Sequence, residues 1–331
     1  MTRVLIIIVN YRSADLAAEC LRSLAPELAG VPGAEVIVVD NASGDDSLAR
    51  LAQAIHAHGW RDWVSLRALP RNGGFAFGNN AAIREELCAA ESADYIMLLN
   101  PDTVIRPGAV RALLHFMEAH PRAGIAGSGL ENVQGEIGCS AHNAPSPLGE
   151  LEGSASLGVL TRLLERHAVS LAPREQAHEC AWVSGASQMV RRRVFEEVGL
   201  FDEGFFLYFE EVDFSTRARA AGWQVWHVPQ SRVVHAEGAS TGIRSRGRRP
   251  PYWYASRRRY FVKHFGVPGL LLADALWAAG RVSLVLRRRL GLGRGGADGS
   301  PKWYALDLLW GDLKSCLSGN LWRIRRSPAS S

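Results

Sequence analysis

Short, uninterrupted apolar runs alternate with longer amphipathic stretches over the first two thirds of the chain, and this alternation sets the expectation for the fold. Val4 to Val9 and Glu35 to Asp40 are short, β-branched and apolar, which suits parallel strands buried on both faces. Between them, Leu16, Cys20, Leu24 and Leu28 recur four residues apart and predict an amphipathic helix over Ala14 to Ala29, with Ser13 as its N-cap. A helix to about His58, a strand over Val64 to Leu69, a glycine-rich loop over Arg71 to Asn80 and a helix over Ala81 to Ala90 follow. Tyr95 to Asp102 then reads as the central strand, an apolar run that ends at a Pro-interrupted carboxylate and delivers Asp102 to an open sheet edge. A helix is expected over Pro107 to His120, with proline at its start and beyond its end.

Residues 124–181 are rich in Gly, Ser and Pro; they predict short strands near Ile125 and Ile137, a loop around Ala144 to Ser156 and a helix over Val159 to His167. The body closes with a strand over Trp182 to Val190, helices over Arg192 to Val198 and Phe209 to Ala221, and strands over Trp223 to Val228 and Arg232 to His235. Gly222 ends the second of those helices. Strands alternating with helices predict an α/β doubly wound, mostly parallel sheet whose ligands bind beyond the carboxyl ends of its strands.

Composition and charge refine this picture. At 331 residues, 47% hydrophobic and 21% charged, the chain has room for one large α/β domain and an appendage. Residues 241–331 hold 18 Lys and Arg against four Asp, a net of +14, which leaves −9 of the whole-chain +5 for residues 1–240. The expected division is therefore a mildly acidic domain over 1–240 and a basic, aromatic, helical region over 241–331. Five scattered cysteines without a CxxC pair predict neither a disulfide framework nor a zinc site, and fit a reducing cytosol. The apolar run at Val4 to Val9 is too short for a signal segment and is followed at once by polar residues.

The candidate chemistry sits at strand ends. Asp40-Asn41 can accept from a nucleotide base or ribose, or can cap the next helix. Asn72-Gly73-Gly74 opens a stretch in which backbone can approach an anion at a helix N-terminus, or can serve the loop alone. Asn100-Pro101-Asp102 offers one firm carboxylate, enough for a hard cation that arrives with a diphosphate, or a simple turn former. Glu210, Glu211 and Asp213 lie among aromatic residues at a helix start; crowding of like charge against apolar surface raises carboxylate pKa values, whereas acids at that end also complement the helix dipole. His235 ends the run RVVH as a metal ligand or a core histidine.

In this order, the segments VLIIIVNY, VIVVDNASGDDS, RNGGFAFGNN, YIMLLNPDT, VSGASQMVRRRVFEEVGLFDEGFFLYFEEVDFSTRARAAGW and VVHAEGAS resemble the inverting family 2 glycosyltransferases of GT-A fold, in particular their rhamnosyltransferase-like branch. The resemblance implies that Val9, Asn10, Tyr11, Asp40, Asn41, Asn72, Gly73, Gly74 and Asn100 bind a nucleotide sugar. It implies that Asp102 and His235 hold a divalent cation, Mg2+ or Mn2+, and that Glu211 is the general base. Trp182, Ser184, Gly185, Ala186, Glu210 and Asp213 would line the sugar and acceptor pocket. Asn100 stands where a full DXD motif has its first Asp, and Glu211 where the family's second acid is Asp. The donor implied is a dTDP- or UDP-sugar, dTDP-L-rhamnose before others, and the acceptor a glycan or lipid-linked glycan of the cell envelope.

Two other functions compete. A sugar-1-phosphate nucleotidyltransferase would want a basic, glycine-rich triphosphate loop directly after the first strand, and Val9 to Ser13 is not one. A non-catalytic protein that binds sugar nucleotides or a membrane surface would lack metal-dependent donor turnover. In the tail, arginines interleave with Tyr252, Trp253, Tyr254, Tyr260 and Phe261, a pattern shared with nucleic-acid surfaces. The later segments Leu270 to Leu290 and Trp303 to Arg326 are apolar, Trp-bearing and flanked by arginine clusters, which suits helices lying on an anionic membrane and disfavours a nucleic-acid partner. The expectation is a peripheral protein on the cytoplasmic face of the membrane, with packing on the body or on a second subunit as the competing use of the tail.

Overall fold

β1 (Val4–Asn10) is buried on both faces, Val4, Ile6 and Ile8 facing one apolar layer and Leu5 and Ile7 the other, as a strand inside a doubly covered sheet must be. The computed structural model describes residues 2–236, 247–292, 301, 303–318, 321 and 324. After β1 come α1 (Ala14–Leu28), β2 (Ala34–Asp40), α2 (Ser47–Ala57), β3 (Val64–Ala68), α3 (Gly74–Cys88), β4 (Tyr95–Leu99), β5 (Thr103–Ile105) and α4 (Ala109–Ala119). The chain continues through β6 (Ala123–Glu131), β7 (Ala141–His142), α5 (Pro147–Ala155), α6 (Gly158–Leu163), β8 (His178–Glu179), β9 (Trp182–Val183), β10 (Ser187–Arg191), α7 (Arg192–Val198) and α8 (Glu210–Ala220). β11 (Gln224–His235), α9 (Pro251–Arg289) and α10 (Tyr304–Leu317) complete it.

The main sheet runs β3-β2-β1-β4-β10-β6-β11-β5, with β8 paired to β11. β3, β2, β1 and β4 are mutually parallel, and β10 is inserted antiparallel between β4 and β6. Strand order reverses direction of growth at β1 and β4, which opens a crevice beyond their carboxyl ends. Register brings Asn10 level with Asp40 and Ile8 level with Leu99 there, so the ends of β1, β2 and β4 share one edge. α1, α2 and α4 cover one face; α3, α7 and α8 cover the other.

Several elements differ from the sequence expectation. The stretch around Ala144 to Ser156 is not loop but α5, started by Ser146, whose Oγ accepts from Gly149 N at 3.1 Å, and by Pro147 in the first turn; a Ser-Pro start that looks like loop chemistry is equally a helix start. Ile137 belongs to an isolated bridge with Glu131 and not to a strand. The glycine-rich loop is shorter than expected, because α3 already begins at Gly74. Trp182 to Val190 divides into β9 and β10 around Ser184-Gly185-Ala186. The two closing strands are one, β11, interrupted by an irregularity between Val228 and Arg232. Ser13 does precede α1, but its hydroxyl donates to Asn10 Oδ1 at 3.0 Å and does not cap the helix.

α9 bends at Gly266, which takes φ +70°, and Pro268 follows. Its first half closes over α8 through a third apolar cluster in which Phe205 and Val212 meet Tyr260, Phe261 and Leu270. The division expected at residue 240 lies outside the described residues.

Candidate active site

The site is assembled from three chain segments that meet at the carboxyl edge of β1, β2 and β4. At the first, Asp40 is buried and its carboxylate accepts from Asn10 Nδ2 at 2.8 Å, from Ser43 Oγ at 2.6 Å and from Ser43 N at 3.1 Å. The Asx-type turn so formed fixes the loop after β2. Val9 lies below it, packed by Gly78 of α3, where any Cβ would come within 2.7 Å of the Val9 side chain. Tyr11 is 37% exposed at the rim, with the Arg12 guanidinium 5.2 Å from its ring centre.

Asn41 ties this edge to the second segment. Its amide donates to Asn72 Oδ1 at 3.1 Å and Gly74 O at 2.9 Å, and accepts from Gly73 N at 3.3 Å. Gly74 takes φ +90°, and a Cβ there would fall 1.9 Å from the Phe206 carbonyl oxygen. That glycine is required by protein backbone packing against protein backbone: Phe75 N donates to Phe206 O at 2.8 Å. A Cβ on Gly73 would strike the Phe77 ring at 2.3 Å. Gly74 therefore serves docking of the 206 segment and Gly73 clears the Phe77 ring, which is the structural one of the two uses the sequence left open for this stretch.

The docked segment carries the acids. Tyr208 and Phe209 both hold φ +70°, a left-handed conformation that costs a bulky residue on the order of 1 kcal/mol or more. It is held by the Phe206 contact on one side and by Ser256 of α9, whose Oγ donates to Leu207 O at 3.0 Å, on the other. The turn places Glu210 and Glu211 at the first positions of α8. Glu210 is buried; burial first and the charge of Glu211 second push its pKa well above the ordinary range. Glu211 is only partly buried, and burial pushes its pKa up to about 7 against the opposing pull of backbone N–H groups at the helix start.

The third segment joins these acids to Asp102. Asn100 N donates to Ala186 O at 2.9 Å, and a Cβ on Gly185 would stand 3.8 Å from Glu211 Cβ and 3.6 Å from the Phe75 ring. The break at Ser184-Gly185-Ala186 thus spans the distance between the end of β4 and the start of α8. Ser184 Oγ accepts from Ala186 N at 3.3 Å and shapes that break. Asp102 is buried, with His235 Nε2 3.4 Å from its Oδ1 and 3.5 Å from Asn100 Nδ2. No group of three or more His, Cys, Asp or Glu is placed to hold a metal ion among the described residues. One carboxylate, one imidazole and one amide nevertheless match a hard cation that brings most of its oxygen ligands with a diphosphate.

Two expected pocket residues are engaged elsewhere. Asp213 is fully buried with its carboxylate turned to α9, where Lys263 Nζ lies at 2.8 Å and His264 Nε2 at 2.8 Å, and Arg217 Nε lies at 2.9 Å within α8. Hydrogen bonding from His264 and the charges of Arg217 and Lys263 outweigh burial and hold its pKa below the carboxylate range. Trp182 stacks on His142 at 4.0 Å and donates from Nε1 to Asn143 O at 3.0 Å, so its ring braces the floor behind β9. Sequence reasoning passed over Phe75, which faces Gly185, and Lys263, Arg259 and His264, which hold the acid segment from behind; the spacing of the three basic residues along one helical run was their only sequence signal.

Residues 2–258 match the family described as glycosyltransferase like family 2. An N-acetylglucosaminyl-diphospho-decaprenol L-rhamnosyltransferase of Mycobacterium tuberculosis is 31% identical over 256 residues, covering 73% of this chain and 79% of that protein. The rhamnosyltransferase WbbL of Escherichia coli is 25% identical over 240 residues, covering 70% and 83%. Among solved structures, the mannosyltransferase PcManGT of Pyrobaculum calidifontis in complex with GDP-Man and Mn2+ superimposes with a TM-score of 0.51 at 16% identity, over 97% of this chain and 87% of that one. That likeness concerns the fold: a mixed, mostly parallel sheet flanked by helices, the GT-A arrangement expected from the sequence.

Proposed function

The chain belongs to the glycosyltransferase like family 2, and from that membership we propose an inverting transfer of L-rhamnose from a pyrimidine nucleotide sugar, dTDP-L-rhamnose, to a hydroxyl of a lipid-linked glycan. The observation that carries the mechanism is the 184–186 break, which bonds to Asn100 on one side and packs beside Glu211 on the other. It sets a carboxylate with a pKa of about 7 across a small-residue floor from the Asp102-His235 pair. A base tuned near the working pH is what proton abstraction from a hydroxyl needs. Relatives named as rhamnosyltransferases support the sugar, and a relative named for diphospho-decaprenol supports the acceptor class.

Glu211, as carboxylate, takes the proton of the acceptor hydroxyl while that oxygen bonds to the anomeric carbon. The bond from that carbon to the diphosphate oxygen breaks on the opposite face, the nucleoside diphosphate leaves with the electron pair, and the configuration inverts. Glu210, the more deeply buried of the two, is pushed well above the ordinary carboxylate range by burial and by the charge of Glu211, which disfavours a second charge beside the base. Asn10, Asp40 and Asn41 frame the base and ribose end, with the Tyr11 ring at the rim for stacking. Asp102 and His235 would hold a divalent cation, which supplies positive charge at the diphosphate when it is bound. Replacing Glu211 by Gln should lower transfer by about 10²- to 10⁴-fold while leaving the thermal shift induced by dTDP unchanged. Near-wild-type transfer by that variant would remove Glu211 from the role.

The tail supports a place at the membrane. By length and composition α9 is apolar enough to cross a bilayer, yet a buried charge ties it to the body: Arg257 reaches Glu150 of α5 at 3.2 Å, besides Asp312 of α10 at 3.2 Å and Asp274 within α9 at 2.9 Å. A helix committed to the body on one face and apolar on the other lies on a membrane in preference to spanning it. We therefore place the enzyme on the cytoplasmic face, where a lipid-linked acceptor is presented.

A further inference from the structure

The glycines around the site differ in what their missing side chain is for. Gly74 takes φ +90° and abuts the Phe206 carbonyl, Gly73 clears the Phe77 ring and Gly78 clears Val9, so packing of the protein accounts for each. Gly185 is different. Its φ lies outside the left-handed region, so the backbone there does not call for glycine. Crowding does not call for it either: a Cβ on Gly185 would meet nothing closer than the Phe75 ring, at 3.6 and 3.7 Å, and Glu211 Cβ, at 3.8 Å, all ordinary van der Waals contact. A carbon of methyl size therefore fits over Gly185, between an aromatic ring and the aliphatic stem of the proposed base. Both walls of this recess are fixed. Phe75 N donates to Phe206 O at 2.8 Å and its side chain packs against the apolar cluster on the α3 side of the sheet, while Glu211 sits in the first turn of α8. Both side chains are only half-buried, so the walls of the recess reach the surface of the site. Polar atoms of the 184–186 break are already engaged, Ser184 Oγ with Ala186 N at 3.3 Å and Ala186 O with Asn100 N at 2.9 Å.

Resting on the rhamnosyl-transfer reading above, we propose that the recess over Gly185 receives the C6 methyl of the donor sugar, so that Phe75 and Gly185 together select a 6-deoxyhexose over a 6-hydroxy hexose. L-Rhamnose carries a methyl on C5 where L-mannose carries a hydroxymethyl group, and the two differ in nothing else. The recess suits the methyl, because ring carbons and Glu211 Cβ offer dispersion contact and no hydrogen bond. A hydroxyl pressed into it would give up water without gaining a partner, since the Glu211 carboxylate is taken by the acceptor hydroxyl in the proposed transfer. The position suits the donor as well. The base works beside the anomeric carbon, and in a pyranose the ring oxygen joins that carbon directly to C5, which carries the methyl.

The test compares transfer from dTDP-L-rhamnose and dTDP-L-mannose by the full chain and two variants. Wild type should prefer the 6-deoxy donor by about a hundredfold in kcat/KM, the discrimination an apolar recess achieves against an added hydroxyl. Gly185→Ala fills the recess with the enzyme's own methyl at unstrained distances. It should keep the wild-type melting temperature and the thermal shift induced by dTDP, while kcat/KM for dTDP-L-rhamnose falls roughly ten- to two-hundred-fold. Phe75→Ser opens the recess and should narrow the donor preference to about tenfold or less; an unchanged preference would take Phe75 out of the selection. Equal use of the two donors by wild type, or wild-type transfer by Gly185→Ala, would overturn the recess and leave rhamnosyl transfer standing. A Gly185→Ala variant in which only the acceptor's KM rises would give the recess to the acceptor and overturn the inference as well. Transfer from neither donor by wild type would overturn the rhamnosyl reading, and the recess with it.

Discussion

At Glu211 two physical effects oppose each other. The N-terminus of α8 favours the carboxylate through its backbone N–H groups, and burial disfavours it; burial wins, and the pKa settles at about 7. Two consequences have opposite signs. In the proposed mechanism transfer needs the carboxylate, so its rate should climb with pH through about 7 on the acidic limb. Stability moves the other way. The folded pKa lies above the ordinary value of 4.5, so the folded state binds this proton more tightly, and stability falls as pH rises from 4.5 to about 7. Glu211→Gln should therefore stabilise the protein at pH 8 by on the order of 2 kcal/mol and have little effect near pH 4, as measured by urea unfolding at both values. An equal effect at the two pH values would show that removal of charge is not its cause. The raised acids were legible in the sequence, where Glu210 and Glu211 stand side by side in a run of aromatic residues. The fate of Asp213 was not, since Lys263 and His264 reach it from 50 and 51 residues away.

At the scale of elements, α8 is held by α9 as well as by its own side of the sheet, where Phe214 and Ala218 pack. Lys263 Nζ bridges Asp202 at 2.9 Å and Asp213 at 2.8 Å, the two acids that bracket the segment carrying Tyr208 to Glu211, and Arg259 pairs with Asp202 at 2.7 Å. This clamp opposes the strain of two successive left-handed residues. Lys263→Met keeps the stem and removes the charge. It should destabilise the fold by about 2 kcal/mol, below the full cost of breaking a buried pair because Arg217 and His264 still reach Asp213; chemical denaturation measures it. In the proposed mechanism Lys263 positions Glu211 through α8, so the variant should lower kcat with little change in the donor's KM. A rise in KM at constant kcat would instead place Lys263 at the donor. Elements with a single dominant period, such as β1, β2, α1 and β4, were legible. Elements whose identity depends on a partner were not: α5 looks like a loop until α9 packs on it through the Arg257-Glu150 pair, and the 184–186 break is invisible until Asn100 and Glu211 are seen on either side of it.

For the whole molecule, the charge asymmetry between an acidic body and a basic tail suggests a module that could be cut away, and the packing argues against that. The first half of α9 supplies the partners of Glu150, Asp202 and Asp213 and covers Phe205 and Val212. A chain ending after residue 240 would leave those acids in place with fewer cations and an apolar face uncovered, each a large loss. Such a truncation therefore cannot report on membrane binding alone; it should yield protein without a cooperative melt. A chain ending after residue 292 is a different case. It removes α10 and with it the Asp312 contact, but Arg257 keeps Glu150 and Asp274, and the α8–α9 clamp is untouched. It should melt cooperatively at a lower temperature, retain dTDP binding, and lose most of its affinity for phosphatidylglycerol vesicles together with the exposed Trp310 and Leu317 of α10. Circular dichroism melts and vesicle sedimentation on the two truncations decide the matter: a 1–240 fragment that melts cooperatively at the full-length temperature would make the tail an independent anchor, whereas collapse of that fragment beside a folded 1–292 chain makes α9 part of the active site's own support.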